Sequence, residues 1–533
     1  MKYAASVANA LWMARSLPAY RRFVNALSEP QNTQASWLLA QLRDHSRSEV
    51  GRAYDFAAIR SVAQFRRQVP LSDYASIESL ISRVQQGEPD VLTCGRVSHL
   101  APTSGSTGAR KLIPFTPGLQ AAFDGAVGAW MVDLVRQRPR LVAGPAYWAI
   151  SPLSPVDVAD AQSSAAIRVG YADDAEYLGG AASWLVRQAM AVPAGIRHVS
   201  DTSAFWALTL LALLRQQDLR LVSVWHPTYL DLLVEAAEPV WSQLLDDIAS
   251  GGCAWSSALG ANDRALWLTK PDRQRRDDLR RIGPHQWERW WPQLQVVSCW
   301  GEQAAEPGWR ALARRLPGVL VQPKGLLATE GVVTIPFRGA HVLAVTSHFF
   351  EFLDDAGEVR MAHELELGGR YEVVLTTGGG LWRYRLGDLV ECSGHVSRTP
   401  TLRFLGRVGR VSDLRGEKLS EPFVADVLRS LWPENGRPRY AALRPHSSTA
   451  DAGYELLVSS ETADASESEL GNRLESALSA NPHYALARRL GQLQPARVVS
   501  VSPDAEHAAL VTQGVRLGDA KPHVILQQPN GAG

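Results

Sequence analysis

Cysteine is scarce in this chain of 533 residues: there are four, Cys94, Cys253, Cys299 and Cys392, far apart and with no Cys-x-x-Cys pair. That argues against a disulfide framework or a zinc site and suits a reducing cytoplasm. A dominant charge is lacking as well. Lys and Arg total 55 against 54 Asp and Glu, a formal net charge of +1, which points to neither a nucleic-acid nor a membrane partner. No run reaches the roughly 18 apolar residues of a membrane span. There is no internal repeat and no low-complexity tract, and the 13 histidines form no metal-like cluster.

Apolar residues make up 46% of the chain and charged residues 20%, the balance of a well-packed protein. The length calls for two to four domains, and 17 tryptophans suggest large buried platforms. The first residues look slightly like a signal peptide, but Asn9 interrupts the apolar run and no small-residue cleavage site precedes Arg15. An amphipathic helix docked through Leu11, Ala14, Leu17 and Phe23 fits better.

Residues 1–90 read as helical, and 94–116 as strand, glycine loop, strand. A helix is expected over 117–138, with Leu119, Phe123, Val127 and Trp130 on one face. Short buried strands are expected at 147–150, 221–225, 294–301 and 319–325, with helices between them. This alternation predicts α/β layers, and the polar residues just past the second pair of strands lie where open α/β sheets bind ligands. The run Asp272–Arg281 interleaves aspartates with arginines and reads as a solvated, salt-bridged helix face. A β-rich segment spans 342–390 and includes a hairpin-like stretch at 371–377. Beyond Gly406-Arg407-Val408-Gly409 lies a segment with its own βα pattern: a helix opening at Ser420, strands at 440–443, 454–458 and 497–501, and a helix at 467–478. It is large enough for its own core. The expected division is therefore 1–408 and 409–533.

One stretch concentrates chemistry. Thr103-Ser-Gly-Ser-Thr-Gly-Ala-Arg-Lys111 brings four hydroxyls, two glycines and two cations together, and such a loop can turn several N–H and O–H groups toward one anion. The spacing Gly-x-x-Gly-x-x-Lys, with Pro114 following, is not that of a Walker loop. Alone, the stretch fits either a phosphate loop between two strands or a solvated Ser/Gly turn. Three further polar words follow in order: Ala328-Thr-Glu330, Tyr384-Arg-Leu-Gly-Asp388, and Gly406-Arg407 with Gly416-Glu-Lys418.

In this order and spacing the four words resemble the adenylate-forming superfamily of acyl-CoA synthetases, peptide-synthetase adenylation domains and luciferase. Within it the chain is most similar to the auxin-responsive Gretchen Hagen family of acyl acid-amido synthetases, in a bacterial-type form. Ser223-Val-Trp225, Trp291-Pro292, Val297-Ser-Cys-Trp300, Phe349-Phe-Glu-Phe352, Asn481-Pro-His-Tyr484 with Arg488, and Lys521-Pro522 extend the similarity over nearly the whole chain. The resemblance implies an α/β fold: a large N-terminal domain of layered sheets and helices, and a small C-terminal α+β domain on a hinge. It implies a cytoplasmic enzyme that uses ATP and Mg²⁺ to convert a carboxylic acid into an acyl-adenylate, then passes the acyl group to an amine, usually an amino acid. An acyl-CoA ligase using coenzyme A is the alternative.

By the same resemblance Thr103, Ser104, Gly105, Ser106, Thr107 and Lys111 would hold the triphosphate tail. Thr329 would bond the α-phosphate, Glu330 would help hold Mg²⁺, and Asp388 would accept the ribose hydroxyls, with Arg407 in the same ATP site. Gly301 would admit the adenine, and Trp300 would stack on it, since Leu326-Leu327 replace the aromatic that many relatives carry there. Lys418 and Lys521 would be the catalytic cations of the smaller domain, with Gly409 in the joint.

Overall fold

The structure is a computed structural model. It describes residues 2–103, 111–150, 167–170, 178–408, 411–415, 417–433, 436–438, 440–447, 452–459, 467–502 and 523–526. Its first organising element is a four-stranded parallel sheet in the order Ala146–Trp148, Leu221–Ser223, Val296–Cys299, Leu320–Pro323. The strands run in register, so Trp148, Ser223, Ser298 and Gln322 form one row. Tyr147, Val222, Val297 and Val321 point to a face packed with the apolar helix Thr202–Leu214 and with Trp267, Trp287 and Trp290. Ala146, Leu221 and Val296 point to the other face, which shares a core with the helices Lys2–Ala26 and Pro117–Gln137. A sheet covered on both faces needs apolar residues at successive positions, hence the short unbroken runs in the sequence.

The N-terminal helix forms as expected but docks through a different face. Ala5, Ala8, Trp12, Ser16 and Phe23 are buried, whereas Leu11 and Leu17 are exposed and Ala14 faces solvent. The aromatic residues decide the orientation: Trp12 meets Trp148 edge-on at 6.1 Å and Phe23 meets Phe337 at 5.1 Å, larger buried areas than leucines on the opposite stripe would provide. Asn9, which breaks the apolar run, donates its amide to the Gly144 carbonyl at 2.9 Å.

The second element is a seven-stranded antiparallel sheet, ordered Val359–Met361, Phe349–Leu353, Arg370–Thr376, Tyr384–Val396, Thr399–Arg407, Ala340–Leu343, Thr334–Phe337. The stretch at 371–377 is one central strand paired on both sides, not a hairpin. The β-rich segment also runs past residue 390. The strand through Asp388 continues to Val396, turns, and returns as far as Arg407. Alternating burial along it keeps polar residues on every second position, which hid its length in the sequence.

Arg383 enters this sheet with a left-handed backbone (φ +48°), a conformation costing about 1 kcal/mol for a residue with a side chain. Its buried guanidinium donates to both oxygens of Glu351, at 2.8 and 2.9 Å, and to the carbonyls of Arg66 and Val69. The Phe-Phe-Glu-Phe word thus owes its glutamate to an internal ion pair. Within Asp272–Arg281, Arg281 pairs with Asp278 on the surface as expected. Arg275 departs from that reading. It is buried and donates to the carbonyls of Leu214 and Trp290, and burial pulls its pKa down to about 10.

Residues beyond 411 build a separate apolar cluster. Strands Ala441–Ser447, Ala452–Ser459 and Arg497–Val501 carry helices Glu421–Ser430, Glu467–Leu478 and Pro482–Arg489. Ser420 caps the first helix and Asn481 the last. The Asn-Pro-His-Tyr word has a structural task here: the Tyr484 hydroxyl, Arg488 and the Ala496 N–H all donate to the Glu475 carboxylate. Ile525 bridges to Leu443.

Glu351→Ala strands the buried Arg383 charge and is expected to cost about 3–5 kcal/mol. Glu391→Ala breaks only the half-exposed pair with Arg403 and should cost no more than about 1 kcal/mol. Urea unfolding of both variants checks the contrast.

Candidate active site

Strands His99–Pro102 and Leu112–Phe115 form an antiparallel hairpin with Pro102 opposite Leu112. The Thr103 N–H donates to the Lys111 carbonyl at 2.9 Å, so the two ends of the polar loop are clamped together. The Tyr74 hydroxyl accepts from the Leu112 N–H at 2.9 Å, and the Lys111 ammonium lies 5.6 Å from the centre of the same ring. Ser104, Gly105, Ser106 and Thr107 lie outside the described residues, as do Gly409, Gly416 and Lys521.

Asp388 and Arg407 are directly opposed on neighbouring strands of the large sheet. Arg407 Nε donates to Asp388 Oδ1 at 2.9 Å. Asp388 is fully buried, while the Arg407 side chain keeps 40% of its surface exposed. The other carboxylate oxygen, Oδ2, is buried with no hydrogen-bond partner among the described residues. A buried carboxylate oxygen without a donor is costly unless a ligand supplies one. Asp388 first, then Glu330, hold the Arg407 guanidinium in its charged form.

Thr329 and Glu330 are the two-residue turn of a small hairpin, Leu327–Ala328 against Gly331–Val332. Behind the turn stands His348, whose Nε2 accepts the Val332 N–H at 3.0 Å. A Cβ on Gly331 would sit 2.6 Å from that nitrogen, so the ring requires glycine there. Burial drives the His348 pKa down to about 3. The ring is therefore neutral, and with Nε2 accepting, its proton resides on Nδ1. Glu330 is 4% exposed. Burial raises its pKa above 4.5, Arg407 and Lys111 oppose that rise, and the charge of Asp388 adds to it. The Tyr384 hydroxyl is held protonated by burial and by the charge of Glu330. The fold thus brings Lys111, Tyr384, Asp388 and Arg407 within electrostatic reach of Glu330, although they are spread over almost 300 residues of chain.

Trp300 and Gly301 end the third strand of the parallel sheet. The indole of Trp300 is buried and packs edge-on against Phe404 at 5.6 Å, so packing, not an open stacking face, accounts for it. Gly301 is required by its neighbours, since a Cβ would fall 2.8 Å from Pro323 and 3.2 Å from Trp309. Glu302 follows, receiving the Phe404 N–H and lying 3.2 Å from His341 Nδ1.

Residues 19–320 match the GH3 family N-terminal domain, 341–407 the GH3 family central domain and 434–530 the GH3 family C-terminal domain. The chain belongs to the GH3 family. It is 29% identical to the GH3 domain-containing protein of Homo sapiens over 41% of this chain and 46% of that protein. It is 24% identical to the probable indole-3-acetic acid-amido synthetase GH3.12 of Oryza sativa subsp. japonica over 75% of this chain and 72% of the other. The chain therefore spans about half the length of the human relative. Among solved structures it resembles the GH3.15 acyl acid amido synthetase, with a TM-score of 0.79 at 19% identity over 95% of this chain and 92% of that one. Against the same synthetase in complex with 2,4-DB the TM-score is 0.82 over 96% and 94%. At that identity the likeness establishes the α/β fold.

One further feature of this GH3 chain was not singled out by the sequence. Lys324 is buried at the carboxyl end of the last parallel strand. Its ammonium bonds Ser223 Oγ at 2.6 Å and lies over the rings of Trp225 and Trp130, at 5.1 and 5.8 Å. The row of polar residues ending the sheet was visible in the sequence, but nothing there pointed to a buried lysine. Lys418 is exposed, with a left-handed backbone (φ +46°).

The raised pKa of Glu330 fixes a pH dependence. An acid that holds its proton more tightly when folded contributes fully below its unfolded value of 4.5 and loses that contribution as pH rises through the folded value. Glu330→Gln should therefore melt higher than the parent at pH 8, with the difference shrinking as pH falls and vanishing near pH 4 by roughly the unfolded pKa. Thermal melts of ligand-free protein across that range check it.

Proposed function

We propose that this chain is a cytoplasmic ATP-dependent ligase that activates a carboxylic acid as its acyl-adenylate and transfers the acyl group to an amine, an amino acid, to form an amide. The observation that carries the reading is the Asp388 carboxylate: one oxygen tied to Arg407, the other buried without a donor among the described residues, within electrostatic reach of Glu330. A bidentate acceptor with one arm unfilled suits the vicinal hydroxyls of a ribose. Membership of a family that includes plant amido synthetases supports the same reading.

In the first step a carboxylate oxygen of the acid attacks the α-phosphorus of ATP and pyrophosphate leaves. In the second the amine nitrogen attacks the acyl carbon, AMP leaves, and the amine gives up a proton. Both steps depend on positioning and on neutralising phosphate charge. Lys111, with Thr103, Ser104, Gly105, Ser106 and Thr107, holds the departing pyrophosphate. Thr329 bonds the α-phosphate. Asp388 orients the ribose, with Arg407 Nε bonded to its other oxygen. The backbone at Trp300 and Gly301 borders the adenine.

Mg²⁺ is usually held by one or two carboxylates together with substrate phosphates. A single buried Glu330 fits this mode, and among the described residues no cluster of three or more metal-binding side chains provides an all-protein cage. Glu330 would hold the ion, whose charge would neutralise the triphosphate. The division at 408/409 lets the C-terminal part bring Lys418 and Lys521 to the phosphates in one step and withdraw them in the next.

A panel of carboxylic acids, each assayed with ATP for pyrophosphate release, tests the reading. Release should require an acid, and AMP formation should then accelerate with an amino acid and not with coenzyme A. Acceleration by coenzyme A alone would make the enzyme a thioester ligase. Asp388→Ala should raise the KM for ATP about tenfold or more, the scale of hydrogen bonds to a charged group. An unchanged KM would remove the ribose assignment.

A further inference from the structure

Lys418 lies between two short paired strands, Val411–Ser412 and Leu419–Ser420, with Val411 opposite Ser420 and Ser412 opposite Leu419. Within the connection, the fully buried Glu417 turns its side chain back into the turn. Oε1 accepts the Leu414 N–H at 2.7 Å and Oε2 the Arg415 N–H at 2.7 Å. The Tyr454 hydroxyl, on the central strand of the C-terminal sheet, donates its proton to Oε1, and its oxygen lies 2.9 Å from Ser412 Oγ. Three donors on one carboxylate tie the connection to itself and to the sheet beneath it. The residue that follows carries the left-handed backbone and the exposed ammonium.

A residue with a side chain keeps φ near +46° only where its surroundings impose it. The buried carboxylate next to it, with both oxygens occupied, is the imposing element. We propose that Glu417 is the positioning residue for Lys418, fixing the direction in which that ammonium leaves the C-terminal part so that it can reach a phosphate. The inference rests on the adenylating reading above. Glutamine cannot replace this group, because its –NH₂ would face the Arg415 N–H or the donors on Oε1. Tyr454→Phe removes one of the three donors and leaves the carboxylate in place.

The test uses the full chain as parent, Glu417→Gln, Tyr454→Phe, Lys418→Ala and the double variant Glu417→Gln/Lys418→Ala. One readout is the rate of tryptic cleavage after Arg415 and Lys418 in the native protein. The other is the kcat and the acid KM of acid-dependent pyrophosphate release. Glu417→Gln should speed cleavage at these sites at least tenfold and lower kcat to near the level of Lys418→Ala, with the acid KM unchanged. The double variant should be no slower than either single one, and Tyr454→Phe should fall between parent and Glu417→Gln in both readouts. Parent-like kcat in Glu417→Gln or in Lys418→Ala overturns the proposal, and so do losses that multiply in the double variant. If Glu417→Gln does not fold, Tyr454→Phe decides by the same criteria. If the parent releases no pyrophosphate with any acid, the adenylating reading falls. The positioning claim is then judged by cleavage, and unchanged rates would overturn it.

Discussion

The pairing of Arg407 with Asp388 ties together three parts of this protein that otherwise have little in common. It joins the last long strand of the antiparallel sheet to its neighbour. It leaves one oxygen of the buried carboxylate without a donor among the described residues, and it lies at the end of the strand Thr399–Arg407. An ion pair with one member fully buried and the other two-fifths exposed is anchored on one side and adjustable on the other. Electrostatic strength comes from the dry side, because a buried charge is poorly screened.

The same division recurs. Glu351 and Glu417 are buried with every oxygen committed to protein donors, and each fixes a strained neighbouring backbone, at Arg383 and Lys418. Asp388 is buried with one oxygen lacking a donor among the described residues, and Glu330 is buried where desolvation favours its neutral form. Fully satisfied carboxylates act as fasteners, and partly satisfied ones hold free energy that a cationic or hydroxylated ligand would release. The distinction rests on donors near the carboxylate, and none of it follows from burial alone.

Much of the fold was legible in the sequence, because parallel strands buried on both faces and helices with one apolar stripe leave short, distinctive patterns. The strand pair flanking the polar loop, the helix after it and the strand–helix order of the C-terminal segment were readable for that reason. The docking face of the first helix was not. Leu11 and Leu17 form as good a stripe as Trp12 and Phe23, and only the partners Trp148 and Phe337 decide between them. Arg275, Arg383 and Lys324 are cations that look solvated in one dimension and are buried in three, since the carbonyls, carboxylate and rings that receive them lie far off in the chain. The words at Glu330, Asp388 and Arg407 were found through their order, while the unfilled oxygen on Asp388 needed the structure.

His348 backs the Thr329–Glu330 turn with a ring that gains a charge only near pH 3 and presses directly on the glycine beside Glu330. A wall of that kind is chemically silent: across the range in which a cell lives it neither gains nor gives a proton. Acidification that would loosen a turn resting on an ordinary surface histidine leaves this one in place. Curvature in a pH–rate profile of this protein would have to come from groups other than His348.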